Sequence, residues 1–192
     1  SDAARRGGSD PDCRAGVGGP CLTKDPYLLY KTAAKKGIEL ELALRSRVIH
    51  RQTIEHLCGR IRDFLRPHVR EGVRQKIFVA GLAFKGHPET SDLRDSSSVE
   101  IVRELVNDHD VHVYDPVIKA NAIDIPGATP VSFADGFKEA HAVMILNNHR
   151  FFASQDILPL VGTMARPSVF FDAWYLFNEL KQSLPEGVQY QT

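Results

Sequence analysis

Nothing in this chain of 192 residues reads as a membrane span, a secretion signal or a polybasic arm. No apolar run approaches the roughly 20 residues that a bilayer-crossing helix needs. Lys and Arg total 24, Asp and Glu total 24, and the net charge is zero. Neither a nucleic-acid-binding surface nor an acidic disordered tail is signalled by that balance. Cysteine is scarce. Cys13, Cys21 and Cys58 are an odd number, which suits a reducing compartment better than a disulfide framework, and no pair has zinc-site spacing. The expectations are therefore a cytoplasmic protein with no metal, no nucleic-acid partner and no membrane partner. Two nucleotide motifs are also missing. GLAFKG, residues 81–86, holds two glycines and a lysine, but no GK[ST] follows, and no G-x-G-x-x-G occurs.

What is present divides into two parts. The first fifteen residues are polar and glycine-rich, and read as loop: a natural active-site loop, or the edge of a chain cut from a longer one. Asp25–Pro26 looks like an N-cap and first helical position, with helix over residues 27–36 and Gly37 as its stop. A second helix begins near Glu39. Leu40, Leu44 and Val48, then Ile54, Leu57, Ile61 and Phe64/Leu65, form an apolar face up to Pro67. This pair is too thin to make a core alone, and the stripe is expected to bury against a second copy. The alternative is a helix folded back onto its own domain.

Past the charged linker 68–75 the pattern becomes strand and helix in turn. KIFVAGLAF (76–84), VHVY (111–114), AVMIL (142–146) and SVFFD (168–172) read as strands. SSSVEIVRELV reads as a helix with Ser97 and Glu100 at capping-box spacing, and another helix is expected between Phe152 and Val161. The fold class is α/β: a Rossmann-like parallel sheet covered by helices, preceded by a helical segment. Gly81 sits where doubly wound domains place ligands.

Cys21 follows Gly16, Gly18 and Gly19, precedes a helix N-terminus and neighbours Lys24. A thiol so placed suits a nucleophile, because the helix end and the lysine both favour a thiolate. A free loop cysteine beside a well-capped helix explains the same residues. Asp25 is either that cap or a general base. Cys58 belongs to an apolar helix face and reads as core; Cys13 lies in the polar lead-in. His87 and His149 read as surface or structural histidines.

Taken in order, GVGGPCLTKDP, GLAFKGHPETSDLRDSSSVEIVREL, VHVYDP and AVMIL followed by NNHRFF closely resemble the carboxyl-terminal half of the UDP-glucose/GDP-mannose dehydrogenase family. The likeness covers nearly all of the chain after residue 15, and PCLTKDPYLL is most similar to the branch oxidising UDP-N-acetylated hexosamines such as UDP-N-acetylmannosamine or UDP-N-acetylglucosamine. The resemblance implies oxidation of a sugar C6 alcohol to the acid with two NAD+, through a cysteine thiohemiacetal and thioester. It implies Cys21 as nucleophile, with Lys24 and Asp25 binding or polarising substrate and placing water. Gly18 and Gly19 would underlie the substrate, and Phe84 and Lys85 would contact the sugar nucleotide. Arg94 organises the acidic–serine segment, reaches a phosphate, or forms an ion pair with Asp92 or Asp95. The resemblance further implies a loop carrying the nucleophile (1–25), a central helical dimerisation segment (26–70) and a UDP-sugar-binding domain (75–192), in a homodimer.

Three departures stand beside that likeness. The amino-terminal NAD-binding domain of the family, with its upstream lysine and asparagine, has no counterpart here. FFDAWYLF places Trp174 and Tyr175 where relatives commonly carry an arginine, and His50 replaces a usual asparagine. A non-catalytic sugar-nucleotide-binding or dimerisation fragment is the competing expectation.

Overall fold

In a computed structural model, residues 15–68 and 72–192 are described. Cys13, most of the polar lead-in and residues 69–71 of the linker lie outside them. Strand β1 (Lys76–Ala80) shows why the sequence carries an unbroken apolar run there. Ile77 and Val79 enter one core while Phe78 enters another, on the opposite side of the sheet. The same alternation places Ala142 and Met144 of one strand against Val143 and Ile145. A strand covered on both faces has no polar side to alternate with.

Six strands form one parallel sheet. They are β1, β2 (Asp110–Tyr114), β3 (Ala128–Pro130), β4 (Ala142–Ile145), β5 (Ser168–Asp172) and β6 (Val188–Gln191), in the order β3-β2-β1-β4-β5-β6. The order reverses between β1 and β4, where Ile77 faces Val111 on one side and Ala142 on the other. That switch opens a crevice at the carboxyl ends of the strands, the usual ligand position in such sheets. The four central strands, β2, β1, β4 and β5, match the sequence pattern. The edge strands β3 and β6 do not, because ATP and VQYQ carry too little apolar alternation to announce themselves.

Of the helices, α1 spans Pro20–Ala34, α2 Glu41–Leu65 and α3 Ser97–Leu105. Three short ones follow: α4 (Phe133–Phe137), α5 (Arg150–Ala153) and α6 (Ile157–Gly162). Helices α2 and α3 cover one face of the sheet; α4, α5 and α6 cover the other, around the rings of Phe78, Phe133, Phe137, Phe152 and Phe170. The single helix expected between Phe152 and Val161 is thus two short ones.

Three expectations for the first helices are corrected. Helix α1 starts at Pro20, with Gly19 as its N-cap, so Asp25 caps nothing and Pro26 lies inside the helix. The capping box is not formed: Ser96 is the N-cap of α3 and its Oγ donates to the Leu82 carbonyl at 2.6 Å. The apolar stripe of α2 divides. Ile54, Leu57, Cys58, Ile61 and Leu65 are buried in the chain's own core, not held out for another copy, while Leu40 and Leu44 are half-buried and Val48 is exposed. No residue of α1 is buried.

Candidate functional site

The segment before α1 lies directly on the turn between β1 and α3. A Cβ added at Gly18 would come within 2.6 Å of the Asp95 carbonyl oxygen, and one at Gly19 within 2.9 Å of the Phe84 ring. Gly19 also has φ +100°, a left-handed conformation that side chains disfavour. Its N–H donates to the Asp95 carbonyl at 2.9 Å, and Thr23 Oγ1 donates to the Asp95 carboxylate at 3.1 Å. Only glycine permits this approach. It fixes where α1 begins and therefore where Cys21 stands.

Cys21 is exposed and is the second residue of α1, at the positive end of the helix dipole. Lys24 and Asp25 follow at three and four residues, so all three share one helix face. Lys24 Nζ donates to Asp25 Oδ1 at 2.7 Å. That bond, the Asp25 charge and, more weakly, the Cys21 sulfur hold the ammonium above the ordinary lysine range. Arg94 is raised too, chiefly by Asp92, with Asp95 and Cys21 contributing. Two cations thus lie within electrostatic reach of the Cys21 sulfur. Cys58 contrasts with it: burial pushes its thiol up to about 11, as suits a core residue.

On the other side of the contact, Phe84 and Lys85 are half-buried, and Lys85 Nζ sits 5.3 Å from the Phe84 ring centre. Arg94 is clamped: Nε donates to Asp92 Oδ1 at 3.0 Å and the guanidinium to Oδ2 at 2.7 Å. Those bonds hold the Asp92 carboxyl down at about 2. The two segments expected to carry the site, 18–25 and 84–94, are therefore docked on each other.

Asp115 is a residue that sequence reasoning passed over. It is buried, and its carboxylate accepts the amides of Leu82 and Ala83 through Oδ2 and of Val117 and Ile118 through Oδ1. Asn148 Oδ1 similarly accepts from Gly86 and His87, pinning the turn after β1 to the turn after β4. His149 is structural as expected: Nδ1 accepts from Phe151 and Nε2 faces Glu89 at 3.1 Å. Trp174 is occupied as well, packing on the core and donating to the Leu146 carbonyl at 3.1 Å. An open cavity of about 400 Å³ lies at the ends of β2 and β3, bordered by Tyr114, Ile118, Ile123 and Val131. Among the described residues, no cluster of His, Cys, Asp or Glu could hold a metal, and no helix is long and apolar enough to cross a membrane.

These residues do not fit a dinucleotide. The phosphate loop of a dinucleotide domain passes straight from strand to helix on closely spaced glycines. Here the connection runs from Gly81 to Ser96 before α3 begins. The acid past β2 that would meet a ribose is Asp115, whose two oxygens are taken by four backbone amides.

Strand order and the crevice define the class: a doubly wound, nucleotide-type α/β domain carrying a docked helical arm. The family model for the UDP-glucose/GDP-mannose dehydrogenase family, UDP binding domain, matches residues 78–179, and the chain belongs to that family. It is 30% identical over 167 residues to UDP-N-acetyl-D-mannosamine dehydrogenase of Pyrococcus horikoshii, covering 85% of this chain and 36% of that protein. To UDP-glucose 6-dehydrogenase of Rhizobium meliloti it is 32% identical over 165 residues, covering 79% of this chain and 34% of that protein. The solved structure of the Pyrococcus horikoshii enzyme superposes with a TM-score of 0.72 at 26% identity, over 92% of this chain and 38% of that one. The chain therefore spans little more than a third of the length of these relatives.

Proposed function

We propose that residues 75–192 bind the UDP part of a nucleotide sugar at the carboxyl edge of the sheet, as the sugar-nucleotide-binding unit of a 6-dehydrogenase. The observation that carries this reading is the match of a UDP-binding family model to 78–179. Support comes from Lys85, a point charge suited to a phosphate oxygen, beside the apolar face of Phe84. Arg94, already paired with Asp92, serves the turn more than the ligand. Titrating the chain with UDP while following amide shifts tests the proposal. Saturable shifts at or below millimolar UDP, weakened several-fold in Lys85→Ala, are expected. No saturable change, or equal binding by the variant, overturns it.

A catalytic role for the arm is favoured by one further observation, the exposed thiol in the first turn of α1 with Lys24 and Arg94 near it. In this reading the whole enzyme oxidises the C6 alcohol of a UDP-hexose or UDP-N-acetylhexosamine to the uronic acid, the N-acetylated substrates being the preferred class. Cys21 adds to the C6 aldehyde: an S–C bond forms and the carbonyl oxygen takes up a proton. At the thioester level, water attacks the same carbon, the C–S bond breaks and the thiol is restored. Lys24 and Asp25 bind substrate and place that water. The two oxidations use NAD+, bound mainly by another domain of the whole enzyme. Within residues 26–70, the exposed apolar side chains of α1 and of the first half of α2 serve assembly with a second copy. Cys21→Ser in the whole enzyme is expected to stop acid release; undiminished acid formation removes Cys21 from the reaction.

A further inference from the structure

Helix α2 touches the Cys21 segment at two points that bracket the thiol. His50, buried on its inner face, accepts the Val17 N–H at Nδ1 over 3.2 Å. One turn earlier, an Arg47 guanidinium nitrogen donates to the Leu22 carbonyl at 3.3 Å. The contact with His50 is close along its length, since a Cβ added at Gly16 would lie 2.9 Å from Nδ1.

This geometry fixes the state of the ring. A nitrogen that accepts a backbone N–H carries no proton of its own, so neutral His50 holds its proton on Nε2. That nitrogen is buried and faces Glu100 of α3 at 3.8 Å, beyond hydrogen-bond distance. Among the described residues, the groups around it are few. Glu100 faces it from α3, Arg47 and Arg51 lie beside Glu100 on α2, and the Ser97 hydroxyl of α3 is uncharged, buried and unpartnered. The Gly16–Gly19 stretch brings no ionisable side chain.

We infer that His50 is a positioning residue for the Cys21 nucleophile, a latch that holds the Val17 amide only while its imidazole is neutral. Protonation places an N–H on Nδ1, and two donors then face each other where a hydrogen bond stood. Asparagine or glutamine offers an amide oxygen that accepts the same N–H and does not titrate. The latch rests on the reading of Cys21 as nucleophile only for its use, not for its existence.

The test has two arms. Nitrogen-resolved NMR of the 192-residue chain reads the ring and the Val17 amide between about pH 7.5 and 5, where imidazoles titrate. At neutral pH the His50 ring should be the Nε2–H tautomer. The Val17 shift should follow its titration, with the amide's exchange protection falling about tenfold. In His50→Gln, Val17 should stay protected across the range; in His50→Ala it should be unprotected throughout. An Nδ1–H ring, or a Val17 amide unmoved while His50 titrates, overturns the latch, and both are read on the wild type whatever the variants do. In the whole enzyme, kcat of the wild type should fall about tenfold relative to His50→Gln over the same range, with KM unchanged. Identical profiles overturn the positioning role. Should Cys21→Ser leave acid formation intact, it is the reading of Cys21 that fails, while the NMR arm still judges the latch.

Discussion

Asp92 lies in a polar turn and Asp115 closes strand β2, and the structure uses them in opposite ways. Asp115 is buried and terminates four backbone amides, two of them from the turn after β1. Asp92 is more open to solvent, and its carboxyl is held at about 2 by hydrogen bonds from the Arg94 side chain and amide. Because its value in the folded chain is depressed, the contribution of this pair is present above the ordinary 3.8 and is lost as the pH falls through about 2. The expected outcome is a turn around residues 92–95 whose amide shifts stay constant down to about pH 4 and move below it. Asp92→Asn should remove that step. A wild-type step centred near 4 would contradict the clamp. At this scale the motif residues were legible: Cys21, Lys24, Phe84 and Lys85 stand in the two segments that the structure docks together. Asp115 was not legible. An aspartate before a proline at a strand end reads as turn punctuation, and its partners Leu82 and Ala83 lie more than thirty positions away in the chain.

Helix α1 begins six residues earlier than its sequence suggests, and the reason lies in tertiary contacts. Asp25–Pro26 has the local chemistry of a helix start, but so has Pro20 after Gly19, and only the docking of Gly19 on Asp95 decides between them. The choice leaves Pro26 inside the helix, where it supplies no N–H for the Leu22 carbonyl four residues back. Arg47 takes that role from α2. A double-mutant cycle makes the compensation measurable. Arg47→Ala should weaken amide protection in α1 by about 1 kcal/mol in the wild type, the usual net worth of a hydrogen bond, because this one is long and exposed. In a Pro26→Ala background the same change should cost close to nothing, because an alanine N–H now serves Leu22. Amide exchange within α1 is the right readout, since a helix with no buried residue opens without unfolding the sheet domain. Equal losses in both backgrounds would show that Arg47 and Pro26 are independent. The central strands needed no such context, as each carries apolar residues that must enter the core; β3 and β6 did, because edge strands are held by pairing with a neighbour.

Across the whole molecule, apolar surface is distributed unevenly. The sheet domain draws the second half of α2 into its own core, which is why Ile54, Leu57 and Ile61 cannot serve an interface. Among the described residues, the exposed large apolar side chains concentrate instead in α1, the turn after it and the first half of α2. Leu28 is 56% exposed, Leu29 57%, Ile38 54% and Leu42 79%. A second copy laid over this arm is the proposed occupant, as the arm has no further part of the described chain to cover it. Burying a leucine-sized group contributes about 1.5–3 kcal/mol, so even three of them on each copy outweigh the lower estimates of the entropy lost on pairing. Sedimentation at micromolar concentration should therefore give a dimer. Leu42→Glu and Leu28→Glu should each shift it toward monomer while leaving thermal unfolding of the sheet domain unchanged, since neither side chain belongs to that core. A wild-type chain that sediments as a monomer at these concentrations rules out the arm as a self-sufficient interface. A dimer indifferent to both substitutions places the contact elsewhere on the molecule.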